Sequence, residues 1–182
     1  CKVDSLYCVH RLDRAVGGVM VWARTPKAAA ELSRQVQEKA LQKAYLAVCS
    51  GIPTPDTREM RDLLFKDSVK QKSFAVSSFR RGDKEALLDY RVLQTAALNG
   101  SPAALVRVTL HTGRFHQIRC QFSSRGLPLW GDKKYSTLPD DGPIALWSHC
   151  LHFAHPETSE VLYFEQQPPD CYPWNLFTGF AD

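Results

Sequence analysis

The segment ALLDYRVLQTAALNGSPAALVRVTLHT, residues 86–112, restricts the fold of this chain more than any other stretch. Two runs of strand-forming residues flank Asn99–Gly100, a dipeptide that favours a tight turn between antiparallel strands. In the second run Val106, Val108 and Leu110 alternate with polar side chains, as in a strand with one buried face. We therefore predict a β-hairpin within an antiparallel sheet.

The rest of the chain alternates between strand and helix signals. Thr25 and Pro26 are typical of a helix start, and Ala29, Leu32, Val36 and Ala40 would share one face of that helix. The residues therefore predict an α+β fold with a mixed, mainly antiparallel sheet and a few helices. We expect strands at residues 17–25, 41–51, 86–97, 102–112, 145–156 and 160–169, a second helix within 113–126, and an irregular surface excursion at 53–76.

Length and composition favour one soluble domain. A chain of 182 residues can bury a single sizeable core. No apolar run approaches the roughly 18 residues of a membrane span, and no signal peptide is visible, so we expect no membrane partner. The six cysteines form no C-x-x-C pair, which favours a reducing cytoplasm over a disulfide framework or a zinc ribbon.

One cluster of side chains raises the possibility of a metal site. His149, Cys150, His152 and His155 crowd into SHCLHFAHP. Neighbouring side chains on a strand face opposite ways, and the spacing differs from the usual zinc patterns, so we expect no metal. A metal-dependent hydrolase is the rival hypothesis, and chelator sensitivity would support it.

The charge of the chain is compatible with a polyanionic partner. The formal net charge is +4 and the isoelectric point is near 8.8, with basic residues in blocks such as FRRGDK and GDKKY. A solvated surface would show the same blocks, so charge alone does not identify RNA.

A second informative stretch, LHTGRFHQIRCQFSSRGLPLWGDKKY, covers residues 110–135. A glycine after a strand begins a short helix whose first turn carries Arg114, His116 and Gln117. Backbone N–H groups and the helix dipole at that end suit phosphate or sugar oxygens. Arg119 would lie near His116 on the helix surface. The alternative is an ordinary capped amphipathic helix.

The segment VHRLDRAV, residues 9–16, places His10, Arg11 and Asp13 close together. The spacing leaves open whether Asp13 performs chemistry or only neutralises Arg11. Taken together, HRLDRAVGG, KAYLAV with its following glycine, the 110–135 stretch and LHFAHPETSEVLYFEQQPP resemble successive signature segments of the RluA-type RNA pseudouridine synthases. The resemblance covers nearly the whole chain.

The resemblance implies specific roles. Asp13 matches the family's catalytic aspartate, Tyr45 the tyrosine that stacks on the target base, and Arg119 the arginine that pairs with the aspartate. Arg11 matches an arginine that fills the gap left by the flipped base, so Arg11 and Asp13 would not pair with each other. The implied fold is a bent sheet with an active cleft across its middle, without cofactor, metal or obligatory protein partner. Implied substrate-binding residues are His10, Arg11, Arg114, His116, Gln117, Ile118, Lys133 and Lys134.

The sequence departs from the family pattern in two places. Val16, Gly17 and Gly18 stand where the family usually has Thr-Ser-Gly, which removes two hydroxyls beside the active loop. The family also has a strand-rich segment with an Asn-Lys-Pro motif before HRLD. We expect residues 1–182 to form one catalytic domain with that segment missing.

The resemblance predicts an isomerase that converts uridines of ribosomal or transfer RNA to pseudouridine. A carboxylate beside the sugar can attack C1′, stabilise positive charge there or remove a proton from C2′, and the sequence leaves these open. The main rival is a relative that binds RNA without catalysis. Retention of Asp13, Tyr45 and Arg119 favours the enzyme.

Overall fold

The computed structural model describes residues 5–139, 142–178 and 180. Short strands and one helix come first, followed by long strands, a second helix and a final hairpin. Within the described residues the elements are β1 (Tyr7–Cys8), β2 (Gly17–Gly18), β3 (Trp22–Ala23), α1 (Pro26–Gln37), β4 (Gln42–Ser50), β5 (Thr57–Asp67), β6 (Lys72–Val76), β7 (Lys84–Leu98), β8 (Ser101–Leu110), α2 (Gln117–Ser123), β9 (Leu146–Ala154), β10 (Val161–Glu165) and a 3₁₀ helix (Trp174–Leu176).

One large sheet organises the fold. Its strand order is β10-β9-β4-β8-β7-β5-β6, and every neighbouring pair is antiparallel. β2 adds a short parallel pairing to β9, and β1 pairs with β3 in a separate ladder. Register shifts at Ala44/Tyr45 and Val92/Gln94 interrupt two ladders, and such bulges bend strands. The predicted α+β class with a mixed, mainly antiparallel sheet is confirmed.

The hairpin predicted from residues 86–112 forms as β7 and β8. Asn99 and Gly100 have φ angles of 48° and 79°, in the left-handed region that a tight two-residue turn requires. Leu98 pairs with Ser101 across that turn. Val106 and Val108 are fully buried, as the alternation predicted.

The two faces of the sheet are covered differently. On one face, Ile118 and Phe122 of α2 pack against the strand residues Tyr45, Val106 and Val108. On the other, Trp174 and Phe177 cover Leu46 and Leu105. We call the face that carries α2 the front face, because the candidate site lies there.

The prediction for residues 53–76 is wrong. The segment is the β5–β6 hairpin at the edge of the sheet, not an irregular excursion. On β5, Met60 and Leu64 are buried, but Asp62 lies between them on the same face and is held by Arg125 and Gln121. This partly buried polar contact hides the alternation that would have indicated a strand.

Predictions for the helices and the first strand are partly confirmed. Thr25 caps α1, since its Oγ1 accepts a hydrogen bond from Ala28 N at 3.1 Å. Residues 17–25 form only the two-residue strands β2 and β3. α2 begins at Gln117, later than expected, because His116 has a φ of 51° and lies outside the helix. No helix in the described part of the chain is long and apolar enough to cross a membrane.

Candidate active site

The loop that carries Asp13 is anchored on the front face. Leu12 and Val16 pack against the core cluster that contains Tyr45 and Ile118. Val16 N donates to Asp13 O at 2.9 Å, which closes a turn at the carboxylate. The segment around Asp13 is a loop. Apolar contacts on both sides therefore fix the position of Asp13.

The two glycines after this turn fit tightly against β9. A Cβ on Gly17 would lie 2.4 Å from Cζ3 of Trp147, and one on Gly18, whose φ is +115°, would lie 2.1 Å from Ser148 O. Val19 N then donates to Ser148 O at 2.8 Å, and Ser148 Oγ donates back to Val19 O at 2.9 Å. The departure from Thr-Ser-Gly therefore has a physical reason at position 17, where the Trp147 ring occupies the space of a side chain.

Arg119 of α2 connects two carboxylates. Its Nη1 donates to Asp13 Oδ2 at 3.1 Å. Its Nε and Nη2 donate to the two oxygens of Asp132 at 2.8 and 2.7 Å, a bidentate pair. Burial lowers the pKa of Arg119, but the hydrogen bonds and charges of Asp132 and Asp13 outweigh it and raise the pKa overall. The guanidinium is therefore permanently charged and fixed in orientation.

The two carboxylates differ in accessibility. The side chain of Asp132 is 0% exposed, whereas that of Asp13 is 24% exposed. Asp132 Oδ1 also accepts hydrogen bonds from the backbone N–H groups of Lys134 and Tyr135 at 3.1 and 3.2 Å. Among the described residues, no group donates a hydrogen bond to Asp13 Oδ1. Asp13 therefore keeps one oxygen available to a ligand.

His116 lies beside this pair as a neutral imidazole. Tyr135 OH accepts a hydrogen bond from Ser73 N at 2.6 Å, so its own proton can be donated to His116 Nδ1 at 3.1 Å. With Tyr135 as the donor in this contact, the ring proton lies on Nε2, which is 3.9 Å from Asp13 Oδ2. Burial lowers the pKa of His116 to about 4; Asp13 opposes this shift, while Arg119 adds to it.

Tyr45 lies on the central strand β4, deep in the front face. Its residue exposure is 7%, and it packs among apolar side chains. Burial raises the pKa of Tyr45 to about 12, the hydrogen bond with Ser148 opposes the shift, and the nearby charge of Asp13 adds to it. Tyr45 therefore carries its proton at neutral pH and lies within electrostatic range of Asp13.

The predicted binding residues at the start of α2 have mainly internal contacts. Gln117 Oε1 accepts from Arg114 N at 2.9 Å and Thr112 Oγ1 at 2.8 Å, while its Nε2 donates to Leu87 O at 3.1 Å. Arg114 Nε donates to Glu85 O at 2.7 Å. Gln117 is 3% exposed, and Ile118, 4% exposed, lies in the core. Gln117 and Ile118 therefore shape the site from below instead of presenting groups to a substrate.

His10 is likewise internal. It is 9% exposed, and its Nε2 accepts a hydrogen bond from Val21 N at 3.3 Å. Burial, and then the charge of Lys43, lower the pKa of His10 to about 4. The ring ties the segment before Asp13 to the strand that follows, which favours a positioning role over direct substrate contact.

Three predicted cationic residues lie at the surface. Arg11 and Lys133 are exposed, and Arg11 forms no ion pair with Asp13. Lys134 is also exposed, and its Nζ donates to Gln71 O at 2.8 Å. The structure thus brings Asp13, Arg119 and His116 together and leaves Arg11 and Lys133 around them.

The histidine cluster of β9 does not converge. His149 is 1% exposed, and its Nδ1 lies 3.1 Å from Gln166 O. His155 Nδ1 instead accepts from the backbone N–H groups of Glu157 and Thr158. Within the described part of the chain, no group of three or more His, Cys, Asp or Glu side chains is placed to hold a metal ion.

Sequence reasoning missed Asp132 and Tyr135. Both lie in GDKKY, a part of the family signature in which only the lysines are assigned a role from the sequence. The arginine of α2 also lies over the Tyr135 ring, with Cζ 5.1 Å from the centroid. A carboxylate directly after a glycine in a motif shared with the family was the one signal for Asp132.

An antiparallel sheet that carries a partly exposed carboxylate paired with an arginine agrees with the class of RNA-modifying isomerases that the sequence resembles. The family model described as RNA pseudouridylate synthase matches residues 2–124. The chain belongs to this family, in its RluA-type branch, and members of the family are isomerases that act on RNA.

Individual relatives agree with this assignment. The chain is 34% identical over 174 residues to an uncharacterized RNA pseudouridine synthase of Aquifex aeolicus, covering 90% of this chain and 54% of that protein. It is 32% identical over 175 residues to ribosomal large subunit pseudouridine synthase D of Neisseria meningitidis serogroup A, covering 89% and 45%. The chain thus spans about half the length of these curated relatives.

A solved structure supports the fold. Human RNA Pseudouridylate Synthase Domain Containing 1 superposes with a TM-score of 0.79 at 24% sequence identity, covering 92% of this chain and 71% of that chain. At this level of identity the match concerns the architecture alone.

Proposed function

We propose that residues 1–182 form one catalytic domain that converts specific uridines of ribosomal or transfer RNA to pseudouridine. The observation that carries the proposal is the Asp13 carboxylate, with one oxygen held by Arg119 and the other available at the surface. Family membership supports the reaction type. The name of the Neisseria relative supports ribosomal RNA as one substrate class.

The reaction breaks the N1–C1′ bond, turns the uracil and joins C5 to C1′. The proton on C5 is released and N1 gains a proton, so the change is an isomerisation with no outside reactant. Asp13 acts at the sugar by attacking C1′, by stabilising positive charge there, or by removing a proton from C2′. In each case an ionised carboxylate with a free oxygen is required.

The neighbouring side chains prepare this carboxylate. Arg119 keeps Asp13 oriented, and its bidentate contact with Asp132 prevents the guanidinium from moving away. His116, neutral because its pKa is about 4, directs an N–H toward Asp13 without adding a full charge. Tyr45 offers its ring face to the uracil and a protonated hydroxyl near the edge of the base.

The target nucleotide must leave the RNA stack to reach Asp13. Such flipping costs a few kcal/mol, which a side chain that enters the gap can offset. Arg11 is exposed two residues before Asp13, and the hydrogen bonds and ion pairs of the Asp13 carboxylate involve Arg119 and His116 instead. We assign Arg11 to that gap, because a planar guanidinium can stack on bases.

Two exposed cations next to the site support an RNA substrate. Lys133 and Lys134 directly follow the buried Asp132 and lie at the surface.

The cysteines support the cytoplasm as the location. The described cysteines are all free thiols, as expected in a reducing compartment: Cys8, Cys49, Cys120, Cys150 and Cys171.

The substrate is identified by mapping pseudouridines in total RNA from cells with and without the gene. We expect one or a few sites to disappear on deletion and to return on complementation. Return of these sites with a catalytically inactive variant would contradict enzymatic function and favour an RNA-binding role.

The role of Asp13 is tested with Asp13→Asn, which removes the charge at constant volume. We expect at least about 100-fold slower tritium release from RNA labelled at C5 of uridine, the usual loss for a group at the reacting centre. RNA affinity and stability should change little, because Arg119 keeps its Asp132 partner. Asp170→Asn, at an exposed position, is the control with the same change of charge. A variant rate above about a hundredth of wild type would exclude Asp13 from the reacting centre.

A further inference from the structure

A second groove lies on the front face, at the opposite end of α2 from Asp13. Its volume is about 770 Å³, and its lining includes Arg58 and Met60 of β5, Ser77 after β6, and Arg125 and Leu127 after α2. Met60 and Leu127 belong to or pack against the front-face core and make part of the lining apolar, while the Asp62 carboxylate also lines the groove. No residue of the candidate active site lines it.

Two arginines line this groove, and only one of them is held in place by a carboxylate. Arg125 is fixed, because its Nη1 and Nη2 donate to the two oxygens of Asp62 at 2.9 and 3.2 Å. Arg58 is exposed and forms no hydrogen bond or ion pair with any residue the structure describes. Burial raises the pKa of Tyr90 on the groove floor, and the charges of Arg58 and Arg125 both oppose this shift. Both guanidinium groups are therefore within electrostatic range of one hydroxyl.

The lining chemistry suits a phosphodiester. Arg125 balances the charge of the Asp62 carboxylate in the lining, and the guanidinium of Arg58 offers a planar set of donors to phosphate oxygens. Thr54, Ser77 and Ser124 add groups that hydrogen-bond to phosphate or sugar. Ile52, 45% exposed, and Leu127 provide apolar surface against which a base or ribose can lie.

The groove and the active site are joined along the sheet edge. β6 begins at Lys72, whose Nζ lies 4.6 Å from the centroid of the Tyr135 ring beside Arg119. The same strand reaches the groove at Ala75 and Val76. Three to four residues of extended strand span about 10–13 Å. A single RNA strand of a few nucleotides can cover that distance.

We propose that this groove binds a backbone phosphate of the substrate RNA a few nucleotides from the target uridine, with Arg58 as the residue that makes the contact. The inference rests on the proposed function, since it places the same RNA on both sites. The groove would extend recognition beyond the flipped base and make affinity depend on the flanking strand.

The test uses Arg58→Ala, with Arg24→Ala as a matched control, since Arg24 is also exposed and also forms no hydrogen bond or ion pair with a described residue. Binding is measured by fluorescence anisotropy on an oligouridylate of about 16 nucleotides, the upper range of single-strand site sizes. We expect Arg58→Ala to weaken binding about tenfold, the usual loss for a charge-assisted hydrogen bond. The slope of log affinity against log salt should become less steep by about 0.7. Arg24→Ala should match wild type.

Turnover on the mapped substrate RNA separates this contact from catalysis. Arg58→Ala should raise KM about tenfold with kcat unchanged. On RNA truncated close to the target uridine at both ends, Arg58→Ala and wild type should have equal KM. An unchanged affinity for the long RNA, an equal loss on long and truncated RNA, or an equal loss in Arg24→Ala would each overturn the proposal. If wild type makes no pseudouridine but Arg58→Ala still weakens binding and flattens the salt slope, the groove stands and the proposed function fails.

Discussion

Asp132→Asn is the substitution that best tests how the site is held together. The change keeps the volume of a fully buried side chain but removes its charge and one of the two acceptors for Arg119. Loss of one partner from a buried ion pair typically costs about 3–5 kcal/mol. The amide oxygen of Asn keeps one hydrogen bond, and Asp13 still faces the guanidinium, so we expect the free energy of unfolding to fall by about 2–4 kcal/mol.

This magnitude is measurable as a shift in the midpoint of thermal unfolding, Tm. A domain of this size loses about 2–4 °C in Tm for each kcal/mol, so the midpoint should fall by about 5–15 °C. Turnover should fall as well, because Arg119 is then free to shift relative to Asp13. A misplacement of about 1 Å in a catalytic array can cost up to about 100-fold, so we expect kcat to drop about 10- to 100-fold with KM nearly unchanged. Tm is followed by circular dichroism and kcat by tritium release.

A double substitution separates the two effects. In an Asp13→Asn background, Asp132→Asn should still lower Tm but should slow the residual reaction no further, because the group it positions is already gone. Asp170→Asn, an exposed position with the same change of charge, should alter neither quantity. The reasoning is refuted if Asp132→Asn leaves kcat at the wild-type value, or if it slows the Asp13→Asn variant as much as it slows wild type.

Two further perturbations follow from buried histidines and from close backbone packing. His10 and His116 have pKa values near 4 in the folded protein and near 6.5 in the unfolded chain. Between pH 4 and 6.5 the unfolded chain therefore binds more protons than the folded protein. The free energy of unfolding must then fall as the pH drops from about 6.5 to 4. Urea unfolding at several pH values should show this loss, about 3 kcal/mol of it from His10. A free energy of unfolding that does not change over that pH range would contradict the neutral, buried rings. Gly18→Ala should cost at least about 2 kcal/mol and lower kcat, because its Cβ would meet Ser148 O and displace the Asp13 loop. Gly82→Ala is the control, because the φ of Gly82 is similarly positive at +105° but no atom lies within 4 Å of an added Cβ. An equal loss of stability in the two variants would mean that backbone strain, and not the contact with Ser148 O, is the cause.

Local signals predicted the parts of the fold that depend on neighbouring residues. The Asn99–Gly100 turn and the Thr25 cap are each specified within a few positions, and both formed as predicted. β5 was missed because Asp62 occupies an inward position whose partners, Gln121 and Arg125, are about 60 residues away in sequence. A periodicity argument treats a partly buried, paired carboxylate as a surface residue.

The difference between local signals and contacts distant in sequence also explains which features of the site could be predicted. Asp13 and Arg119 were assigned through family motifs, and the structure brings their side chains to 3.1 Å although 106 positions separate them. Gln117 stands in those motifs too, yet its amide is used by Thr112, Leu87 and Arg114. A motif records that a residue type is needed but does not show whether its contacts are with the protein or with a ligand.

The arrangement around Arg119 divides two chemically equal carboxylates into different roles. Asp132 takes both the Nε and Nη2 donors of the guanidinium and two backbone N–H groups, so its oxygens are saturated and excluded from water. Asp13 receives only the remaining Nη1 donor and stays 24% exposed. An arginine held by one carboxylate can orient a second without moving toward it when charge develops on the substrate. Burial of the Arg119–Asp132 pair thus fixes the guanidinium in place. Asp13, the carboxylate proposed to contact the sugar, stays partly exposed.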